Sequence, residues 1–457
     1  MSQLIKIIVD TKEYEVLEGS LLIDLLIKEN IKVPYFCYHE SLGADGNCRM
    51  CMVGIEGQKR PQIACDTFVK EGMVVQTQTE TIKEVRTNIL ELELINHPVD
   101  CPTCDQAGEC SLQNFYMDYG LHTSKISITE KVKHNKALDL GSNVMLDQER
   151  CVLCARCTRF TDKITHTHEL GIVGRGDDAK VTTMPNRPLD NPYAMNVVDL
   201  CPVGALTSKD FRFAQRVWFL ESAEGVCHGC AKGCSIYIDH NKLKYKDDVI
   251  YRFRPRRNDV INGFFICDEG RLSYKELQEN RQELTLLNGV EIQTTDAIKQ
   301  IKELLFLYKT NIAIIIDANL YTEEIEAILS FAQEIEAKVY APLESYEDAL
   351  FGDTMLKSSM RAANATTITQ LGIDTSRPER VGLILNFNHP EDFASDSKIN
   401  FLTHKRDNSA LTLPLASFSE SSGSLTNEDG ITQFSKQAIF KNTPQPTVKE
   451  YLESLRS

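Results

Sequence analysis

The sequence lacks any cysteine after Cys267, although it has fifteen cysteines from Cys37 to that residue. It also lacks an excess of basic residues: 50 lysines and arginines face 65 aspartates and glutamates, a formal net charge of −15. Nucleic-acid binding depends on clustered basic side chains, so this charge disfavours such a partner. No run of about eighteen uncharged apolar residues occurs, which predicts no transmembrane helix. The first residues have no apolar core of a secretory signal, so we expect a cytosolic chain.

The cysteines are spaced as metal ligands are, and not as disulfide partners. A cytosolic chain folds in a reducing compartment, and an odd number of cysteines leaves one thiol unpaired in any all-disulfide scheme. Fifteen cysteines and His97 supply sixteen ligands, four for each of four centres, and this sum is why His97 is counted. The first set comprises Cys37, Cys48, Cys51 and Cys65; the second His97, Cys101, Cys104 and Cys110; the third Cys151, Cys154, Cys157 and Cys201; and the fourth Cys227, Cys230, Cys234 and Cys267.

Structural zinc is the alternative for every set, since it also takes four cysteines, or three cysteines and a histidine. Zinc sites more often pair two C-x2-C knuckles that lie about a dozen residues apart. Three of these sets instead have three clustered cysteines and one distant partner. In the third set, CVLCARC lets three thiolates surround a cuboidal cluster, and a Cys-Pro pair supplies the fourth ligand. The spacing of the third set therefore favours iron–sulfur over zinc.

The N-terminal residues predict a small α/β unit. Apolar and polar residues alternate on both sides of Asp10–Lys12, which predicts two paired strands. A helix is predicted from about Ser20, which is a suitable N-cap residue. A strand pair, a helix and then a loop of cysteines is how plant-type ferredoxins hold a 2Fe–2S cluster. Gly43 and Gly46 suit a loop whose backbone amides point at sulfide.

The C-terminal part predicts a parallel sheet. A β-α-β pattern is formed by NIAIIIDANL, TEEIEAILSFAQEIEA and VGLILNF. The chain has neither a glycine-rich G-x-G-x-x-G turn after a strand nor a Walker A motif, so it is not predicted to bind a dinucleotide or nucleotide.

Five motifs together resemble the large iron–sulfur subunit of respiratory complex I, the NADH:quinone oxidoreductase: CYHESLGADGNCRMCMV, NHPVDCPTCDQAGECSLQ, CVLCARCTRF, DLCPVGAL and VCHGCAKGCSI. The resemblance covers residues 1 to about 275. It implies that the first set binds a 2Fe–2S cluster and the second a 4Fe–4S cluster with His97 as one ligand. It also implies an all-cysteine 4Fe–4S cluster on each of the third and fourth sets.

The resemblance implies an α+β multidomain chain. Its domains would be a β-grasp 2Fe–2S ferredoxin domain at 1–80, a 4Fe–4S segment with one histidine and three cysteine ligands at 81–120, a 4Fe–4S ferredoxin-like domain at 121–217, a molybdopterin-oxidoreductase-type 4Fe–4S domain at 218–280, and a truncated α/β molybdopterin-oxidoreductase-like domain at 281–457. The last domain is expected to hold no molybdenum or pterin, because it is short and has no cysteine.

The same resemblance implies an electron relay without a catalytic residue of its own. Electrons would enter from a flavin- and NADH-binding (or ferredoxin-type) partner and leave toward the quinone-side iron–sulfur subunits of the peripheral arm. The chain would lie on the cytoplasmic side of the inner membrane, within a proton-translocating complex. Two alternatives stay open: the electron-transfer subunit of a formate dehydrogenase or NAD-reducing hydrogenase, and a zinc-binding scaffold.

Overall fold

The computed structural model describes residues 3–245, 247–406, 410–441 and 444–457, which form two compact bodies. The first body is Met1–Trp218 and the second is Phe219–Ser457. Among the helices described, none has both the length and the apolar character needed to cross a membrane.

The first body begins with a mixed five-stranded sheet of order β2-β1-β5-β3-β4. The first two strands form an antiparallel hairpin, as predicted, and the fifth strand runs parallel to the first, so the arrangement is that of a β-grasp. One helix packs on the sheet over an apolar core that includes Ile7, Leu22, Leu26 and Val75. The elements are β1 (Leu4–Val9), β2 (Lys12–Leu17), α1 (Leu22–Lys28), β3 (Met52–Ile55), β4 (Gln62–Ile63) and β5 (Val74–Gln76).

Helix α1 begins later than the sequence predicts. Ser20 is not its N-cap; that position is Leu21, whose side chain makes no capping hydrogen bond. The carbonyl of Ser20 accepts a hydrogen bond from the Val69 amide at 2.9 Å, and the Leu22 amide donates to the Thr67 carbonyl at 2.8 Å. This pairing holds Ser20 and Leu21 extended, so the helix can begin only after it.

Helices α2 and α3 follow the first sheet, and a second group of small sheets completes the first body. A three-stranded sheet of order β10-β7-β6 and a hairpin of β8 and β9 flank the short helices α4 and α5. The elements are α2 (Glu80–Leu94), α3 (Ser111–Tyr119), β6 (Leu138–Asp139), β7 (Val144–Leu146), α4 (Arg156–Lys163), β8 (Leu170–Val173), β9 (Lys180–Thr183), α5 (Asn196–Leu200) and β10 (Leu206–Ser208).

The second body starts with an antiparallel three-stranded sheet of order β11-β12-β13. A short helix follows it. These elements are β11 (Leu220–Val226), β12 (Ser235–Asn241), β13 (Ile250–Pro255) and α6 (Asp268–Leu272).

A seven-stranded sheet of order β15-β14-β20-β19-β18-β16-β17, an antiparallel hairpin of β21 and β22, and several helices complete the second body. Strands β16 to β20 are mutually parallel, and the predicted β-α-β pattern is confirmed by β16, α8 and β18. The elements are β14 (Leu286–Leu287), β15 (Val290–Glu291), α7 (Thr294–Tyr308), β16 (Ile312–Ile316), α8 (Thr322–Glu334), β17 (Lys338–Tyr340), α9 (Ala365–Gln370), β18 (Val381–Phe387), β19 (Ser395–Leu402), β20 (Leu411–Pro414), β21 (Gly423–Thr426), β22 (Thr432–Ser435) and α10 (Val448–Arg456).

Candidate metal centres

The first set lies in the loops around β3 and β4, and all four of its thiols are buried. The thiol of Cys37 contacts those of Cys48 and Cys65, and Cys51 contacts Cys65. Hydrogen bonds from Cys48 and Cys65 lower the pKa of Cys37, and the backbone amide of Gly46 adds to this. The Gly46 amide thus points at the sulfur of a candidate ligand, and the predicted contact with sulfide stays a prediction. The four thiols form one compact group.

The third set lies in the loop that leads into α4 and at the end of α5. The loop winds through two non-glycine residues in the left-handed region, Leu153 (φ 48°) and Ala155 (φ 58°). Such backbone strain is characteristic of functional loops. All four cysteines line one small cavity, whose other walls are mostly apolar. Burial raises the pKa of each of these thiols, to about 12 for Cys154. Without a bound cation the set therefore stays protonated, whereas metal binding would release those protons.

In the second set Cys104 is buried, whereas Cys101 and Cys110 are partly exposed. Burial raises the pKa of Cys110 to about 11, and the charge of Cys104 adds to this. Burial lowers the pKa of His97 to about 4, so the ring is neutral at pH 7, as ligation requires. The Nδ1 atom of His97 accepts a hydrogen bond from the Val99 amide at 3.2 Å. If Nδ1 bound iron, the metal would take the place of this hydrogen bond. If Nε2 bound iron, the one N–H of the neutral ring would be on Nδ1, which then cannot accept a hydrogen bond from Val99.

The loop that carries His97 is strained and is held by a lysine. Val99 has φ 52°, an outlier for a β-branched residue. The Nζ atom of Lys131 donates to the carbonyls of Leu94, Ile95 and His97 at 2.8, 3.0 and 2.8 Å. These carbonyls lie at and beyond the end of α2, where no helical donor is available. Lys131 therefore fixes the position of the His97 loop.

The fourth set lies in the second body. Three of its cysteines lie in the loop between β11 and β12, and the fourth caps α6. Backbone amides point at two of the sulfurs: Gly229 donates to Cys227 at 3.4 Å and Gly270 donates to Cys267 at 3.3 Å. All four cysteines line a cavity of about 420 Å³. It extends to the carboxyl ends of β16 and β18 and includes His228, whose ring stacks on Phe418 with centroids 3.9 Å apart.

Glycines make room for sulfur at two of these sets. A Cβ on Gly270 would lie 3.1 Å from the sulfur of Cys227 and 3.2 Å from that of Cys267. A Cβ on Gly204 would overlap the sulfur of Cys104 and lie 3.0 Å from the Cβ of Gln106. Gly204 lies three residues after Cys201. The ligand loops of the second and third sets therefore approach each other at this glycine.

Two arginines of α4 connect the third set to the first. Arg156 donates to the carbonyls of Tyr38 at 2.6 Å and Leu200 at 3.1 Å. Arg159 donates to the carbonyls of Cys37 and Gly43, the latter at 2.9 Å. Tyr38 follows Cys37 in the chain and Leu200 precedes Cys201, so both bonds of Arg156 end beside a candidate ligand.

An ion pair connects the second set to the third. The side chain of Arg150 makes two hydrogen bonds to the Asp100 carboxylate, at 3.0 and 2.7 Å. Hydrogen bonds from Arg150 and Lys136 outweigh burial and lower the pKa of Asp100 to about 2. Asp100 precedes Cys101, and Arg150 precedes Cys151. The third set is thus bonded to both of the other sets in this body.

Zinc and an iron–sulfur cluster place different demands on their ligands. Zinc thiolates lie about 2.3 Å from a single ion, whereas a cluster of several irons spreads its ligands over a larger body. The buried thiols, the amides that point at sulfur and the glycine cradles fit such a cluster.

The sequence did not reveal the basic residues that hold the ligand loops. Besides Arg156, Arg159 and Lys131, Arg216 donates to the carbonyls of Cys104 and Pro102, both at 2.6 Å. In the second body, Arg361 donates to the Gly229 carbonyl at 2.8 Å. One signal in the sequence pointed to them. Arg156 lies between Cys154 and Cys157, so if those two thiols are buried, its charged side chain is buried with them.

Three family models match the chain. Residues 2–80 match a 2Fe-2S iron-sulfur cluster binding domain, and residues 86–125 match an NADH-ubiquinone oxidoreductase-G iron-sulfur binding region. Residues 141–207 match the ferredoxin-like domain of NADH-quinone oxidoreductase subunit 3.

Several curated proteins are similar to the chain. The G subunit of the NADH-quinone oxidoreductase of Rickettsia typhi is 37% identical over 309 residues, which cover 66% of this chain and 44% of that protein. The NADH-ubiquinone oxidoreductase 75 kDa subunit of Reclinomonas americana is 37% identical over 278 residues, which cover 61% of this chain and 39% of that protein. The chain thus spans less than half the length of these relatives. A crystal structure of an NAD+-reducing [NiFe]-hydrogenase is 25% identical and covers 47% of this chain and 91% of that one; its TM-score of 0.42 is too low to bear on the fold.

The fold and the matched models define a mixed α/β protein with 2Fe–2S and 4Fe–4S ferredoxin-like domains. Within that class, the chain is related to the G subunits of NADH-quinone oxidoreductase, also named the 75 kDa subunit. The resemblance to the large iron–sulfur subunit of complex I is therefore confirmed.

The contact at Gly204 gives a direct test of the candidate sites. The variant Gly204→Ala should retain less iron than the unmodified chain, because the added methyl group displaces the Cys104 sulfur. Overpacking of this kind typically costs about 1–3 kcal/mol. Iron per chain after anaerobic purification measures the effect. Gly54→Ala is the matched control, since its Cβ would meet Gln76 at an ordinary 3.5 Å. Equal iron in both variants would show that Gly204 is not beside a metal centre.

Proposed function

We propose that this chain is the iron–sulfur electron-relay subunit of a proton-translocating NADH:quinone oxidoreductase. The observation that supports this most strongly is the bonding of the third set to both the first and the second. Electron transfer needs centres that are close and held at fixed distances, and the loops of these sets are bonded to one another through Arg156, Arg159 and the Arg150–Asp100 pair. The names of the relatives support the same function.

The proposed ligands are the sixteen residues of the four sets. The first set would hold a 2Fe–2S cluster and the other three would each hold a 4Fe–4S cluster, with His97 as the one ligand that is not a thiolate. Bound clusters supply the one-electron chemistry. The residues of the chain bind them, keep water out with apolar walls and point amides at sulfur. Histidine in place of thiolate removes a negative charge, which should raise the potential at the second set.

The proposed domain ranges are those that the resemblance implies: 1–80, 81–120, 121–217, 218–280 and 281–457. We propose that the parallel sheet of the last range is an α/β molybdopterin-oxidoreductase-like domain that holds no molybdenum or pterin. The fourth set would then be a structural or side-branch centre.

The proposed partners are the flavin- and NADH-binding (or ferredoxin-type) input subunit and the quinone-side iron–sulfur subunits of the peripheral arm. The chain would lie on the cytoplasmic side of the inner membrane. A role in a formate dehydrogenase or NAD-reducing hydrogenase is not favoured, because several curated relatives are subunits of NADH-quinone oxidoreductase.

The metal content tests the proposal. One 2Fe–2S cluster and three 4Fe–4S clusters predict about fourteen irons per chain and as many acid-labile sulfides. Anaerobic iron and sulfide analysis of the purified chain measures both. A value near ten irons would indicate an empty fourth set. Stoichiometric zinc, or about half the expected iron, would contradict the proposal.

Replacement of His97 tests the second set. His97→Cys should keep the cluster but lower its potential, because a thiolate adds negative charge. His97→Ala should leave one iron without a protein ligand or empty the site. Low-temperature EPR during a redox titration measures both effects. His166→Ala, at an exposed histidine of the same body, is the control. If His97→Ala kept every cluster signal with unchanged g-values, His97 would not be a ligand.

A further inference from the structure

Arg156 is a buried arginine that forms no ion pair with any carboxylate in the part of the chain that the structure describes. Its side chain is 8% exposed. Two of its nitrogens donate to the carbonyls of Tyr38 and Leu200, at 2.6 and 3.1 Å, while its Nε atom is buried without a hydrogen-bond partner. No carboxylate of the described residues lies within 4.0 Å of this guanidinium. Burying a cation in this way is costly unless a negative group is present nearby.

The third set provides the place for that negative group. Arg156 lines the same cavity as the four cysteines of this set, and it is the one basic residue among the described residues that do so. The remaining walls are mostly apolar, including Leu146, Val181 and Leu206. The guanidinium therefore lies at the wall of the cavity that the four candidate ligands share.

We propose that Arg156 is a positioning residue that sets the redox potential of the cluster on the third set, with its free Nε–H directed to that cluster. The inference rests on the proposed function, since it needs a 4Fe–4S cluster on these four cysteines. One added electron adds one negative charge to the cluster. A guanidinium stays protonated in proteins, and in a dry cavity its charge stabilises the reduced form. Hydrogen bonds to cluster sulfurs act in the same direction.

The two carbonyl bonds of Arg156 hold this charge in place. Tyr38 belongs to the ligand loop of the first set and Leu200 adjoins Cys201, so one planar group bridges both loops. A guanidinium makes such divergent bonds from a rigid fork, whereas the compact ammonium of lysine cannot make them in the same geometry. Arg156→Lys therefore keeps the charge and loses the bridge, and Arg156→Gln loses the charge.

Arg159 is a matched control on the same helix. It is also 8% exposed, but its Nε atom donates to the Ala155 carbonyl at 3.3 Å. Its other nitrogens bond to the first-set loop, and the carboxylate of Asp45 lies 3.8 Å from its Nε. Its charge is thus partly balanced, and its Nε–H, which is free in Arg156, is already bonded. Arg159→Gln should disturb the first set and shift the potential of the third by less than Arg156→Gln does.

The experiment is an EPR-monitored redox titration of the full chain, purified anaerobically and reduced with dithionite and mediators. At a given ambient potential, the ratio of reduced to oxidised third-set cluster should be at least tenfold lower in Arg156→Gln than in the unmodified chain. For a one-electron couple, a tenfold change lowers the potential by about 59 mV. Arg156→Lys should shift it less than Arg156→Gln does. Arg159→Gln should also shift it less than Arg156→Gln does.

Other outcomes would overturn the inference. A third-set potential in Arg156→Gln equal to that of the unmodified chain would show that the charge does not act on the cluster. Loss of the cluster in both Arg156 variants would show a purely structural role. Absence of a third-set 4Fe–4S signal from the unmodified chain would overturn the proposed function itself, and the inference with it.

Discussion

Backbone carbonyls of irregular ligand loops need hydrogen-bond donors, and in this protein buried basic side chains provide them. Loops that wrap sulfur ligands cannot form regular sheets or helices, so their carbonyls lack the usual partners. Arg156, Arg159, Arg216 and Lys131 each donate to two or more such carbonyls in the first body. A hydrogen bond to a charged group typically contributes about 1.5–3 kcal/mol. The same cations lie close to where negatively charged clusters are proposed, so they serve both the fold and the proposed chemistry.

This constraint also explains how the first body is built. Three ligand sets from distant parts of the chain share one body, and arginines that adjoin one set bond to loops of another. A cation placed between two thiol sets lowers the repulsion between them. The fourth set follows a different plan: it lies in a β-hairpin loop and at the start of a helix, where amides of Gly229 and Gly270 point at sulfur. There the groups that point at sulfur are backbone amides.

Much of this could be predicted from the sequence, because the signals are local. Period-2 alternation indicated the β1–β2 hairpin, and apolar runs with a helix between them indicated the parallel sheet. Long-range effects could not be predicted. The start of α1 depends on the pairing of Ser20 with Val69, and the need for glycine at 204 arises from contact with Cys104, a hundred residues away. The sequence singled out His97 as a ligand, but not the hydrogen bond from Val99 that competes with ligation.

The central claim is that the first three sets hold neighbouring redox centres, with the third in contact with both others. Magnetic coupling between reduced clusters tests it most directly, because dipolar interaction falls steeply with distance. EPR spectra of the full chain, recorded at stepwise lower potentials, should show the third-set signal broadening or splitting as each neighbouring cluster becomes paramagnetic. A third-set signal that keeps its line shape whatever the state of the other two would contradict the claim.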